Sequence, residues 1–238
     1  MDDARIAELL APFLSDGPRR RGHKGPASAT DVAVLSRAQL RSISTYIDLL
    51  LHWNARVNLT AVRTPEEIVT RHFGESIFAA RHLFPEAKAG TASMDHGSPH
   101  VIDVGSGAGF PGLPVKIWAS HVRLTLIESN QKKATFLREV ARSLSLTGVD
   151  VFTGRANAFA GSKGDVVTLR AVERFESVVP IAATLVGEAG CLAMLVGEAQ
   201  ARGVCALVPR LQWSEPARLP LSGNRALIIG SNESQLSI

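Results

Sequence analysis

Between residues 101 and 229, short apolar runs alternate with helical patterns, and no other feature constrains the fold as much. Residues 101–104, 124–128, 149–153 and 165–169 read as strands; 113–118, 132–146 and 175–187 carry helical spacing. Residues 191–196 and 225–229 read as the last strands, with 219–223 as a turn between elements. This alternation predicts a parallel sheet with crossover helices. Residues 101–104 are apolar apart from Asp103, the pattern of a strand covered on both faces. The expected fold class is therefore α/β and Rossmann-like, with a mostly parallel central sheet. Apolar residues form 45% of the 238, enough for a sizeable core.

The N-terminal part has a different texture. Pro12, Gly17, Pro18, Gly22, Gly25 and Pro26 break regular structure, and residues 19–24 form a basic run, so residues 1–34 are expected to be a flexible basic tail. Order is expected to begin near Leu35. From the cap candidate Ser36, apolar side chains recur at Leu40, Ile43, Ile47, Leu50, Leu51 and Val57. A second helix opens with Thr64-Pro65-Glu66-Glu67, proline in the first turn and carboxylates at the positive end of the dipole, and runs to about Leu83. The expected division is a helical cap at 35–90, an N-terminal extension on the sheet domain at 91–238.

Several classes are disfavoured by composition. No stretch approaches the roughly 20 apolar residues of a membrane span, and the first residues lack the basic-then-apolar order of a secretory signal. Cys191 and Cys205 alone do not suggest a disulfide framework, so a cytoplasmic location is expected. No Cys/His cluster has zinc spacing, and no metal is expected. The net charge of +4 is mild; it suits a polyanionic partner such as RNA and equally an ordinary enzyme.

The segment Asp103-Val104-Gly105-Ser106-Gly107-Ala108-Gly109-Phe110-Pro111-Gly112 links a predicted strand to a predicted helix. Its glycines permit backbone angles and close approach that a Cβ would block. Nicotinamide and flavin enzymes hold a pyrophosphate on such a loop. In methyltransferases it packs against the methionine and ribose parts of S-adenosylmethionine, which carries no phosphate. Asp103, at the strand end, matches an acid that class I methyltransferases keep near the methionine end. Glu128, ending the second strand, suits both ribose hydroxyls, although dehydrogenases share that feature. Pro111 separates the classes, because it removes an N–H that a pyrophosphate would use. The reading is a class I methyltransferase using S-adenosylmethionine.

At these residues the chain resembles the bacterial RsmG (GidB) family, which methylates N7 of a guanine in 16S ribosomal RNA. Trp53-Asn54-Ala55-Arg56-Val57-Asn58-Leu59-Thr60, placed in the first long helix, and Arg71-His72-Phe73-Gly74-Glu75-Ser76 carry the likeness together with the glycine loop. Glu128-Ser129 with Lys132-Lys133, Gly154-Arg155-Ala156 and Leu169-Arg170-Ala171 extend it. The resemblance implies that Gly105 and Phe110 line the cofactor pocket, that Glu128 holds the ribose, and that Ala156 and Asn157 meet the adenine. It implies that Arg170 lies close to cofactor and target base, that Arg155 and Arg225 engage RNA, and that Asn58 and His72 face the cleft. Lys132 and Lys133 are further candidates for phosphate contact. The partner implied is 16S RNA within the small subunit or its precursor, and a monomer suits so large a substrate.

Four departures stand out: Asn157 where the family usually has Glu, Val196-Gly197 where it has Lys-Gly, Gly74 where an apolar residue is usual, and a longer basic tail. Unprotonated N7 needs no general base, so Arg170, His72 and Asn58 are expected to position the reactants, with no catalytic dyad. A small-molecule methyltransferase, a nicotinamide-dependent oxidoreductase and a catalytically weakened ribosome-assembly factor are the rival readings.

Overall fold

The computed structural model describes residues 1–15, 34–85, 97–171 and 174–232. The sheet has eight strands: β1 (His100–Val104), β2 (Arg123–Glu128), β3 (Val149–Thr153), β4 (Gly164–Arg170), β5 (Val186–Gly197), β6 (Gln212–Trp213), β7 (Ala217–Arg218) and β8 (Arg225–Ser231). Their order is β3-β2-β1-β4-β5-β8-β6, with β7 also on β8. The first five pair in parallel, and β8 runs antiparallel to β5, β6 and β7. The expected mostly parallel α/β sheet is thus present. β1 is buried along its whole length, as its unbroken apolar run required. Strand order reverses at β1/β4, and the carboxyl ends of such strands form the crevice where ligands bind in open α/β sheets.

The helices α5 (Gly112–Trp118), α6 (Gln131–Ser143) and α7 (Phe175–Thr184) lie near their predicted positions. Another helix, α8 (Glu198–Leu207), was not anticipated; Ala201 and Val204 are its buried residues, and the run of small residues hides its period.

In the cap, α2 (Arg37–Asn54) starts at Ser36 with a reciprocal capping box to Gln39. It ends at Asn54, so Asn58-Leu59-Thr60 is a loop and not helix as expected. Buried Asn54 shapes that loop: Oδ1 accepts from the Leu59 and Thr60 amides and Nδ2 donates to the Thr60 carbonyl. The next helical stretch is α3 (Pro65–Glu67), capped by Thr64, a π-helical segment Ile68–Gly74, and α4 (Glu75–Leu83). One extra residue per turn over Ile68–Gly74 changes which side chains face the sheet, a device frequent at functional sites.

The expectation of a tail from residue 1 to 34 is corrected at its start. α1 (Asp3–Leu14) is a helix capped by Asp2, and Ile6, Leu10, Phe13 and Leu14 are buried in the core. Their spacing is helical, so the signal was present; the breakers beyond residue 11 concealed it. Gly74 explains its own departure here, because a Cβ on it would lie 2.6 Å from Phe13 Cδ2. The basic run 19–24 lies outside the described residues. Cap and sheet share one apolar cluster, with Ile43, Tyr46 and Phe73 against Leu113 and Phe136.

Gly109 is the tightest point between them. Its φ is +88°, and an added Cβ would sit on Tyr46 Oη and 2.6 Å from Leu113 Cδ1. Gly109→Ala is therefore expected to destabilise the fold by about 2–4 kcal/mol, from backbone strain and overpacking together. Urea unfolding measures it; a change below about 1 kcal/mol would contradict this packing.

Among the described residues no helix is long and apolar enough to cross a membrane. Among them, too, no group of three or more His, Cys, Asp and Glu is placed to hold a metal.

Candidate active site

A cavity of about 810 Å³ opens at the carboxyl ends of β1, β2 and β4, roofed by the cap. Gly105, Ser106, Gly107 and Phe110 line it from the loop after β1, Glu128 from β2, and Arg155, Ala156 and Asn157 from the short turn after β3. Arg170 comes from β4, Arg225 from β8, and Thr60, Arg71 and His72 from the cap. The lining cations are Arg71, Lys133, Arg155, Arg170, Arg174 and Arg225; Glu128 is the acid among the lining residues. That imbalance favours an anionic ligand.

The glycine loop is held down on Glu128. Oε2 accepts the Gly107 N–H at 2.8 Å and Oε1 accepts the Asn130 N–H at 2.7 Å. Each oxygen keeps a second lone pair, so the carboxylate can also accept two vicinal hydroxyls. Gly107 has φ +57° and open space where a Cβ would stand, as a position against a ligand requires. Asp103 sits underneath, 1% exposed, and does not line the cavity. It accepts from Thr168 Oγ1 at 2.7 Å and from the Gly112 N–H at 3.3 Å. Burial raises its carboxyl to about 6, offset by those bonds and by the Arg170 charge. Its observed contacts fix the loop; they do not reach the cavity.

Above the loop, Phe110 lies between two rings, stacked on His72 at 4.8 Å and on Tyr46 at 5.4 Å. Tyr46 Oη donates a very short hydrogen bond to the Ala108 carbonyl. The cap is thereby clamped onto the cofactor loop.

A buried charge network joins cap to sheet. Glu75, on α4 and 4% exposed, accepts from Arg170 Nη2 at 3.0 Å and from Arg225 Nη1 at 2.9–3.0 Å. Arg170 Nη2 also donates to the Arg71 carbonyl at 2.7 Å and faces His72 Nδ1 at 3.0 Å. A guanidinium has no lone pair, so Nδ1 must be the unprotonated nitrogen of His72. The ring proton is on Nε2, which donates to Thr60 Oγ1 at 2.7 Å. Burial first, then the charges of Arg170, Arg71 and Arg225, lower the His72 pKa to about 3, so the ring is neutral at physiological pH. Arg170 Nε is buried and has no acceptor among the described residues.

A stability prediction follows for His72. Between pH 6.5 and 3 the unfolded chain protonates this histidine and the folded chain does not, so acidification through that window removes stability. Compared with His72→Gln, the native protein should lose about 1.4 kcal/mol per pH unit below about 6.5. Parallel pH slopes for the two proteins would contradict a buried neutral ring.

Not every expected residue reaches the cavity. Asn58 is exposed and does not line it, because α2 has ended four residues earlier. Lys132 is exposed on α6 outside the lining, whereas Lys133 borders it. Val196 packs in the apolar core, 3% exposed, away from the lining. Asn54, Thr60 and Glu75 were missed as site residues. Glu75 had one legible signal, its helical spacing of three from His72.

A scan of family models matches residues 39–215 to GidB, rRNA small subunit methyltransferase G. The chain belongs to this family. Among curated relatives, the ribosomal RNA small subunit methyltransferase G of Xylella fastidiosa strain 9a5c is 34% identical over 203 residues, 84% of this chain and 90% of that protein. The Exiguobacterium protein of the same name is 43% identical over 145 residues, 59% of this chain and 57% of its own length. Solved structures agree in fold. The magnesium protoporphyrin IX methyltransferase of Synechocystis, solved with bound S-adenosylmethionine, aligns with a TM-score of 0.58 at 13% identity, over 80% of this chain and 97% of that one. A ribosomal protein L11 methylase from Lactobacillus delbrueckii aligns at 0.54 and 12%, over 68% and 79%. The family's fold is thus the class I methyltransferase fold expected from the strand alternation and the glycine loop.

Proposed function

We propose that this protein methylates N7 of a specific guanine in the 16S RNA of the small ribosomal subunit. Family membership carries the coarser statement, methylation of ribosomal RNA with S-adenosylmethionine. One observation favours N7 over an amino group: the site offers no free base. The His72 lone pair faces Arg170, Glu75 lies between two arginines, and Asp103 is sealed beneath the loop. Methylation of an amino group needs its proton removed, whereas N7 carries a lone pair and no proton.

The residues fit the cofactor. Glu128 can take the ribose diol, Ala156 and Asn157 border the space for the adenine, and Gly107 leaves room beside the loop. The orphaned Arg170 Nε–H suits a group that brings an acceptor, as the methionine carboxylate does. When bound, S-adenosylmethionine supplies a methyl on a cationic sulfur, which an unprotonated ring nitrogen accepts without a general base. Phe110 and His72 form a flat aromatic wall for that space, and Arg170, locked by Glu75, orients acceptors. Such positioning is worth roughly 7–11 kcal/mol of a barrier. Arg155, Arg225 and Lys133 border the mouth, where phosphates of the RNA would pass, with Lys132 outside it. In this reading residues 35–90 act as a cap over the cofactor domain 91–238, and the protein works as a cytoplasmic monomer on the small subunit or its precursor.

Digestion of labelled RNA to nucleosides tests the atom. All label is expected in 7-methylguanosine, with a single-turnover rate that varies less than about threefold between pH 6 and 8.5. Label in an N2-methylated guanosine, or a rate rising tenfold per pH unit, would overturn the reading.

A further inference from the structure

Adenine also carries an unprotonated N7, so alignment of a lone pair with the methyl does not by itself select guanine. The two purines differ at position 6, beside N7 on the same edge. Guanine presents an oxygen acceptor there and adenine an amino donor. A guanine-selective site therefore needs a hydrogen-bond donor fixed on that edge, one that cannot turn round and accept.

Thr60 is such a group. A hydroxyl has two lone pairs and one proton. Both lone pairs of Thr60 Oγ1 are taken: His72 Nε2–H donates to it at 2.7 Å, and the Val62 amide at 3.1 Å. The direction of the first bond is imposed from the far side of the ring, where Nδ1 faces Arg170 Nη2. The Thr60 O–H is left as a pure donor, with no acceptor among the described residues. Thr60 and its neighbours Ala61 and Val62 line the cavity on the cap side, across from the ribose- and adenine-facing residues Glu128 and Asn157. The Arg170 Nη2 group is already committed to Arg71, His72 and Glu75 and is not available for this task.

We infer that the Thr60 hydroxyl reads O6 of the target guanine, its direction set by the relay Glu75–Arg170–His72–Thr60. The inference rests on the guanine-N7 reading above. It makes Thr60 a specificity-determining residue and His72 and Glu75 positioning residues behind it.

The test uses small subunits reconstituted on 16S RNA that carries either guanine or 2-aminopurine at the methylated position. 2-Aminopurine keeps N7 and lacks O6. The unaltered protein should methylate guanine about 10- to 100-fold faster, the discrimination one good base contact supplies. Thr60→Val should bring that ratio close to one, Thr60→Ser should keep it, and the cofactor Kd of both variants should stay within about twofold of the native value. If Thr60→Val slows both substrates equally, the residue only supports the fold and the inference is overturned. A raised cofactor Kd in Thr60→Val overturns it too, because the donor then meets the cofactor. If the unaltered protein leaves guanine unlabelled, the target reading falls as well, an outcome distinct from a labelled guanine with an unmoved ratio.

Discussion

Glu75→Ala is expected to lower stability by about 3–5 kcal/mol, a fall of roughly 6–20 °C in Tm. Glu75 is the carboxylate that accompanies both Arg170 and Arg225, whose side chains are 7% and 22% exposed. Removing one member of a buried ion pair leaves the other charge without compensation, and here two charges lose it. Methyl transfer should fall as well, at least about 100-fold, because Arg170 and His72 lose the contact that sets their orientation. Glu75→Gln keeps two polar atoms of similar shape and should restore part of the Tm, with less of the activity. Thermal unfolding and single-turnover kinetics on the same preparations separate the two effects. A Glu75→Ala protein with native Tm would show that the cap is not held to the sheet through this network.

The second large effect concerns Glu128. Glu128→Ala is expected to weaken S-adenosylmethionine binding by about 100-fold or more, the value of two hydrogen bonds to a charged acceptor. Part of that loss comes from the loop, since Gly107 and Asn130 both donate to this carboxylate. Glu128→Gln keeps one strong acceptor, so its affinity should lie between the native and alanine values. Calorimetric titration with the cofactor reads the change directly. Cofactor affinity within threefold of native in Glu128→Ala would remove the ribose assignment and leave Glu128 as a loop anchor.

The cofactor half of the site was legible because it is local. Gly105 to Gly112 and Glu128 follow strand ends in a pattern whose geometry a parallel sheet imposes, and Ala156 and Asn157 follow the next strand end. The cap half depends on contacts between residues far apart in the chain. Glu75 meets Arg225 across 150 positions and Arg170 across 95. No period or spacing announces such a pair. Asn58 was favoured over Thr60 and Asn54 because the helix was expected to run past it; the end of α2 at Asn54 turns Asn58 outward and brings Thr60 in. α1 was lost to Pro12, which sits inside the helix without ending it. The departures divide in the same way. Gly74 makes sense only once Phe13 is seen on it, and Val196 belongs to the core, whereas Asn157 keeps a polar side chain at the cavity wall.

The measurement closest to the central claim is methyl transfer from labelled S-adenosylmethionine to small ribosomal subunits that lack the modification, with the labelled nucleotide mapped. One 16S guanine should carry the label on N7, and Arg170→Ala should abolish it. Tight cofactor binding with no label on any subunit or precursor would contradict the account and favour a factor that binds the ribosome on this fold without turnover.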